Sequence, residues 1–351
     1  MSTLTPPAPV TGPTPVDYLS DEHLAPGVKE FLKIANAPGS RPIESLPIPA
    51  ARQVLIDAQK AFNVDYSGIE ESEKAIEANG FTIPLNIVRP AGVRGDLPVG
   101  TGGDLPVGIG GDLPAFIFVH GGGWVLGDYP THRRLVRDLV VASGCAAVFV
   151  NYTLSPEAHY PQAIHEIYAA AKWVSEHGEE IGVDGGKLAV AGNSAGGNMA
   201  GATSLMASEK KGPHLRAQVL MWPVTDATFT EESYDLYGEG RFLTVPLMKW
   251  SWDQYTPNPE ARKERHASLL NATIDELKGL PPTLIQVAEN DILRDEGEAF
   301  GRRLLEAGVD ATTIRYNGMI HDWGMLNGLA NEPATRSLIL HAAAHLRHHL
   351  I

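Results

Sequence analysis

Ser194 stands in the run Gly192-Asn193-Ser194-Ala195-Gly196, a lone hydroxyl fenced by small residues. A serine is a weak nucleophile until a base takes its proton. The chemistry open to it is acyl transfer, provided that a base and donors for an oxyanion meet it. The spacing fits GxSxG, in which a strand turns sharply into a helix and lifts the hydroxyl above a sheet. Small neighbours suit such a turn, because its backbone is strained and packs tightly. Gly and Ser are common, so the pattern draws its weight from context: "LAVAG" reads as a buried strand before it and "AGGNMAGATSLMAS" as a helix after it. The helix beginning at Ala195 directs its first N–H groups toward the serine, where negative charge is favoured.

A second signal is His120-Gly121-Gly122-Gly123-Trp124, again just past an apolar run, "AFIFVH". Adjacent glycines let backbone N–H groups approach a substrate oxygen unobstructed. Gly122 and Gly123, with the N–H of Ala195, are the expected oxyanion donors. His120 reads as a hydrogen-bonding brace for the loop rather than as a base.

Five blocks follow one another in the chain: "HGGGW" at His120, "NYTLSPE" at Asn151, "GNSAGG" at Gly192, "NDILRDEG" at Asn290 and "IHDW" at Ile320. In this order, from about Phe81 to the C-terminus, the chain resembles the hormone-sensitive-lipase-like branch of the α/β-hydrolases. Members of that branch carry HGGG, a YRLAPE-like block, GDSAGG, a DPLRDEG-like acid motif and a late histidine. The resemblance implies an α/β-hydrolase fold, a mostly parallel central sheet flanked by helices, with a helical cap. It also implies a serine carboxylesterase acting on small-molecule esters of short to medium acyl chains, without metal or organic cofactor. By the same resemblance Asp291 is the acid and His321 the base, in the chain order Ser, Asp, His. Each follows a strand-like run, "TLIQVAE" and "ATTIRYN", which places both at strand carboxyl edges. Glu289, Asp295 and Glu296 remain rival acids by proximity. An amidase or formamidase would use the same triad, and a ligand receptor could reuse the fold, although plant hormone receptors of this kind have lost the histidine that His321 supplies here.

The chain departs from the branch at Asn193, where the family has Asp, at Asn151 and Thr153, where it has Asp and Arg, and at Ile292, where it has Pro. These changes remove charge near the elbow and leave the catalytic side chains in place.

Composition bounds the alternatives. Among 351 residues, 43% are hydrophobic and 20% charged, as in a soluble globular protein. The formal net charge of -14 offers no broad cationic field, so nucleic acid is not an expected partner. The start, "MSTLTPPAPVTGPTPVDYLS", lacks the basic end and apolar run of a signal peptide, and no window approaches the roughly 18 apolar residues of a membrane span. A cytoplasmic location is expected, without stable membrane insertion, and homo-oligomerisation is left open. Cys145 is the one cysteine, which excludes an internal disulfide and suits a small core residue. His341, His345, His348 and His349 lie on a terminal helix and lack a carboxylate partner for a metal.

The elements that must position the site follow from periodicity. Short β-branched runs alternate with helical patterns from Ala115 onward, as in a parallel sheet covered on both faces. "FTIPLNIVRP" alternates as a strand in front of them. Residues 1–20 read as a flexible arm and 21–75 as N-terminal helices contributing to a cap. The hydrolase core is expected over 76–226 and 272–351, and a cap insertion without strands over 227–271. "GDLPVGTGGDLPVGIGGDLP", between residues 95 and 114, reads as a surface loop lengthened by duplication. The cap aromatics Tyr234, Phe242, Trp250 and Trp252, with Trp124, are candidate walls of a substrate pocket.

Overall fold

The computed structural model describes residues 17–92 and 112–351. Most of the arm and most of the repeat loop lie outside the described residues.

Strands β1 (Ile69–Ala78), β2 (Phe81–Pro90), β3 (Leu113–Val119), β4 (Ala146–Val150), β5 (Val183–Asn193), β6 (Leu215–Met221), β7 (Thr283–Asn290) and β8 (Ala311–Ile320) form one sheet. Their order across it is β1-β2-β4-β3-β5-β6-β7-β8. The first two junctions are antiparallel and the rest parallel. Helices α1 (Pro26–Ala35), α2 (Ile48–Lys60), α3 (Tyr129–Ser143), α4 (Gln162–His177), α5 (Ala195–Glu209), α6 (Glu232–Tyr237), α7 (Val245–Tyr255), α8 (Ile274–Leu277), α9 (Arg294–Glu306) and α10 (Pro333–Leu350) surround it. Among the described residues no helix is long and apolar enough to cross a membrane.

Alternation along each strand splits the core in two, because successive side chains leave a strand on opposite faces. Ile117, Val119, Val148, Val150 and Val190 pack with α4, α5 and α9. Phe116, Phe118, Ala147, Phe149 and Ala191 pack with α3 and α10. Both faces are covered, so β4 is buried at every residue and reads as a continuous apolar run. Cys145, beside it, is buried, and burial pushes its thiol up to about 11, which leaves it an inert core group.

The first strand corrects the expected N-terminal region. Residues 69–75 were expected in cap-forming helices, but they belong to β1, paired along its whole length with β2. Its sequence "IEESEKAIEA" lacks an apolar face because β1 is an edge strand whose acidic residues stay in water. The turn that joins it to β2 is Asn79-Gly80, with φ of 50° and 82°. This is the two-residue hairpin geometry that needs left-handed backbone at both positions, which Asn and Gly tolerate.

Residues 227–271 hold α6, α7 and short helical turns, without a strand. They meet the N-terminal segment directly. Arg241 and Asp21 form a buried ion pair at 2.6 Å, and Asn36 Nδ2 donates to the Gly240 carbonyl at 2.9 Å.

Candidate active site

Strand β5 stops at Asn193 and α5 begins at Ala195, so Ser194 alone makes the turn. Its φ of 55° and ψ of -123° lie where a non-glycine residue is strained, by on the order of 1–3 kcal/mol. Neighbouring structure holds it there. The Ser194 N–H donates to the Met221 carbonyl at 2.9 Å, and its own carbonyl accepts from Val224 N–H at 3.2 Å. A Cβ on Gly196 would collide with the Val119 carbonyl, so only glycine lets α5 approach β3 this closely.

Two loops beyond β7 and β8 bring Asp291 and His321 to the serine. His321 Nε2 lies 2.9 Å from Ser194 Oγ, and His321 Nδ1 lies 2.8 Å from Asp291 Oδ2. Asp291 Oδ1 accepts from Leu293 N–H at 3.0 Å, which fixes the carboxylate plane. All three side chains are buried. Burial lowers the basicity of His321, but the charges of Asp291 and Asp322 and the hydrogen bond to Asp291 outweigh it. The imidazole therefore titrates above its ordinary 6.5.

The rival acids are engaged elsewhere. Glu289 Oε2 accepts from Gly318 N–H at 2.7 Å. Asp295 pairs with Arg294 and takes the Ser233 N–H. Glu296 accepts from Thr225 N–H at 2.6 Å and from the Tyr234 hydroxyl at 2.7 Å. Its burial pushes the carboxyl up to about 8.

In the glycine loop, Gly121 N–H is taken by Asn193 Oδ1 at 3.0 Å. Among the described residues the N–H groups of Gly122, Gly123 and Ala195 have no hydrogen-bond partner. Gly122 has a φ of 104°, and a Cβ there would strike the Leu126 carbonyl; a Cβ on Gly123 would strike Ser251 of α7. His120 stacks on Tyr152, with ring centroids 4.4 Å apart, and its carbonyl accepts from the Tyr152 hydroxyl at 3.0 Å. Burial pushes this imidazole down to about 4, so it is neutral and braces the loop.

Several further groups position the site without a role that the motifs assign. Arg52 of α2 donates to the carbonyls of Val125 and Ser155 at 2.8 and 3.1 Å and pairs with Glu157, tying the glycine loop to the block after β4. Asp322 accepts from Trp222 Nε1 at 2.7 Å. His132 Nε2 lies 3.4 Å from Asn193 Nδ2. Asp322 falls inside the block "IHDW", where its only distinction is to follow His321. The partners of Arg52 are more than 70 residues away, and nothing local marks them.

The expected pocket walls differ among themselves. Trp124 and Trp252 are fully buried in a closed stack with Tyr255, whose ring lies 4.4 Å from Trp124 and nearly parallel to it. Tyr234 is buried and its hydroxyl is spent on Glu296. Phe242 and Trp250 are part-exposed and pack against the α3 and α10 side of the core. A separate groove of about 730 Å³, lined by Gln59, Phe62, Tyr66, Glu71, Tyr129 and Arg133, contains none of the serine, histidine or acid side chains just described.

Comparison with known proteins shows the family. A family model described as alpha/beta hydrolase fold matches residues 116–325, more than half of the chain. The chain belongs to the α/β-hydrolase family. Relatives of this α/β-hydrolase include an esterase of Gibberella moniliformis, 32% identical over 89% of this chain and 96% of that protein. Carboxylesterase NlhH of Mycobacterium tuberculosis is 32% identical over 72% of this chain and 74% of that one. A thermostable esterase from Pseudomonas putida ECU1011 has a solved structure that superposes with a TM-score of 0.89, at 51% identity over 94% of this chain and 99% of that one. These place it on the hormone-sensitive-lipase-like branch, among the carboxylic ester hydrolases.

Because Gly122 of this α/β-hydrolase has both a left-handed backbone and a carbonyl where a side chain would go, Gly122→Ala should displace the loop. The expected result is a fall in kcat of about 10²- to 10³-fold with little change in KM, the scale of losing an oxyanion donor. Steady-state kinetics on p-nitrophenyl butyrate measure it; an unchanged kcat would remove the loop from the oxyanion site.

Proposed function

We propose that this carboxylic ester hydrolase works through an acyl-serine intermediate on Ser194 and acts on small-molecule esters of short to medium acyl chains. The observation that carries the reading is the unbroken chain from Ser194 Oγ through the His321 ring to Asp291, at 2.9 and 2.8 Å. Ser194 Oγ attacks the acyl carbon while His321 Nε2 takes its proton, and Asp291 keeps the other ring nitrogen protonated and turned toward itself. The oxyanion of the tetrahedral intermediate accepts from Gly122, Gly123 and Ala195 N–H. Collapse expels the alcohol, which receives the proton from Nε2. Water then repeats the sequence: His321 takes its proton, the oxygen attacks the acyl carbon, and the acid leaves as Ser194 regains its hydrogen. No step calls for a metal or an organic cofactor.

In this reading α1, α2 and residues 227–271 cap the cleft. The position of Ser251 against Gly123 supports that, since it seats α7 on the oxyanion loop. Phe242 and Trp250 are then the better candidates for substrate contact among the aromatics, and Trp124 and Trp252 act by packing the loop and cap together.

A p-nitrophenyl series from acetate to palmitate, with matched anilides, tests the substrate class. The expected optimum lies between acetate and octanoate, with esters faster than anilides. Faster anilide cleavage would make the protein an amidase, and cleavage of neither would favour a ligand-binding role. The pH dependence has a definite sign. The base works when neutral, and its titration lies above 6.5, so kcat/KM should fall as pH drops through a midpoint above 6.5. A midpoint below 6 would contradict the electrostatics of the site.

A further inference from the structure

His321 is followed by a second acid. Asp322 has a left-handed φ of 60°, which turns its side chain back toward the base instead of away from it. Its carboxylate is buried. Oδ1 accepts from Trp222 Nε1 at 2.7 Å and from Asn193 Nδ2 at 3.1 Å, and Oδ2 lies 3.9 Å from His321 Nε2. That nitrogen is the one that faces Ser194 Oγ. At 3.9 Å the two do not share a hydrogen bond, so Asp322 acts through its charge and leaves Nε2 free for the serine.

Asn193 joins this carboxylate to the oxyanion loop. Its Oδ1 accepts from Gly121 N–H while its Nδ2 donates to Asp322. An amide accepts on one side and donates on the other, which an ionised carboxylate cannot do. The acid that the family carries at this position would set one carboxylate oxygen against another, and one of them would have to be protonated.

We propose that Asp322 is a positioning residue for the base, its charge favouring the protonated imidazole from the Nε2 side while Asp291 favours it from the Nδ1 side, and that residue 193 is an amide because it must donate to that carboxylate. The charged and titratable groups facing His321 are Asp291 from the loop after β7, Asp322 from its own loop and the hydroxyl of Ser194. Those facing Asp322 are His321 and Asp291, with His132 of α3 behind Asn193. Burial raises the Asp322 carboxyl above its ordinary value, and His321, Trp222 and Asn193 pull it part of the way back.

The inference rests on His321 being the base, and pH profiles of kcat/KM keep the two apart. Asp322→Asn should move the acid limb down by about one pH unit, because one of the two charges that favour the imidazolium is gone. Asn193→Asp alone should lower kcat/KM at neutral pH by at least about tenfold, since the adjoining carboxylates must then share a proton. The double variant, Asn193→Asp with Asp322→Asn, leaves a single carboxylate, so no proton has to be shared; with the new amide oxygen at position 322 held by Trp222 Nε1 it should recover part of that loss. An acid limb of Asp322→Asn that superimposes on the wild type overturns the proposal. If Asp322→Asn does not fold, the swap decides, and a double variant no better than Asn193→Asp alone overturns it. Failure of the underlying reading looks different: His321→Ala would then retain activity, whereas failure of this inference leaves His321→Ala inactive and the wild-type acid limb in place.

Discussion

Replacing Ser194 by alanine should lower kcat by on the order of 10⁶ and leave a folded protein. Removal of the nucleophile ends the covalent route altogether, and in serine hydrolases the loss of this one group costs about as much as removing all three members of the triad. What remains is binding and the oxyanion donors, which together retain roughly 10³- to 10⁴-fold over water. The structural cost is small. The strained backbone at φ 55° is the same for alanine, the volume falls by one oxygen, and the bond lost is the single one to His321. A typical hydrogen bond contributes about 1 kcal/mol net, which corresponds to a Tm change of about 1–2 °C in a chain of 351 residues. Activity assays and a thermal melt on the same preparation separate the effects. Full turnover by Ser194→Ala, with the melt unchanged, would assign the chemistry to another residue.

Asp291→Asn should cost about 10⁴ in kcat through the tautomer of the base. Leu293 N–H donates to Asp291 Oδ1, and an asparagine in its place would keep its own oxygen there. Its amide nitrogen then faces His321 Nδ1 and donates to it, so the ring proton moves to Nε2. An Nε2 that already carries a hydrogen cannot take one from Ser194. The predicted fall is the scale seen when an orienting carboxylate becomes an amide in a serine triad. The acid limb should also shift to lower pH, because burial then acts on His321 with only Asp322 opposing it. Steady-state kinetics across pH measure both. A loss of less than about tenfold would mean that Asp291 neither orients the base nor stabilises its charged form.

How much of this was legible in the sequence depends on whether the controlling contact is local. The parallel strands were legible because burial on both faces demands continuous β-branched runs, and the serine turn because its glycines are required by backbone approach at Gly196. Strand β1 was not legible from hydrophobicity, since its edge position favours Glu and Lys over an apolar stripe. The Asn79-Gly80 pair was the available sign, as the geometry of that turn follows from the two residue types alone. The choice among Glu289, Asp291, Asp295 and Glu296 could not be read from spacing. Each points a different way from the end of β7 and the start of α9, and three of them meet partners distant in sequence, such as Thr225, Ser233 and Gly318. Arg52, His132 and Trp222 were beyond reach for the same reason. Their roles exist only once chain segments that are far apart in sequence are packed together.

The proposed mechanism requires that the hydroxyl of Ser194 is the atom acylated during turnover. Treatment with a p-nitrophenyl alkylphosphonate, followed by intact mass and peptide mapping, tests it directly. One phosphonyl group per chain is expected, located on the peptide that carries Ser194, with activity lost in proportion to labelling and no adduct on Ser194→Ala. Inactivation with the phosphonyl group on a different residue, or full activity with Ser194 modified, would contradict it.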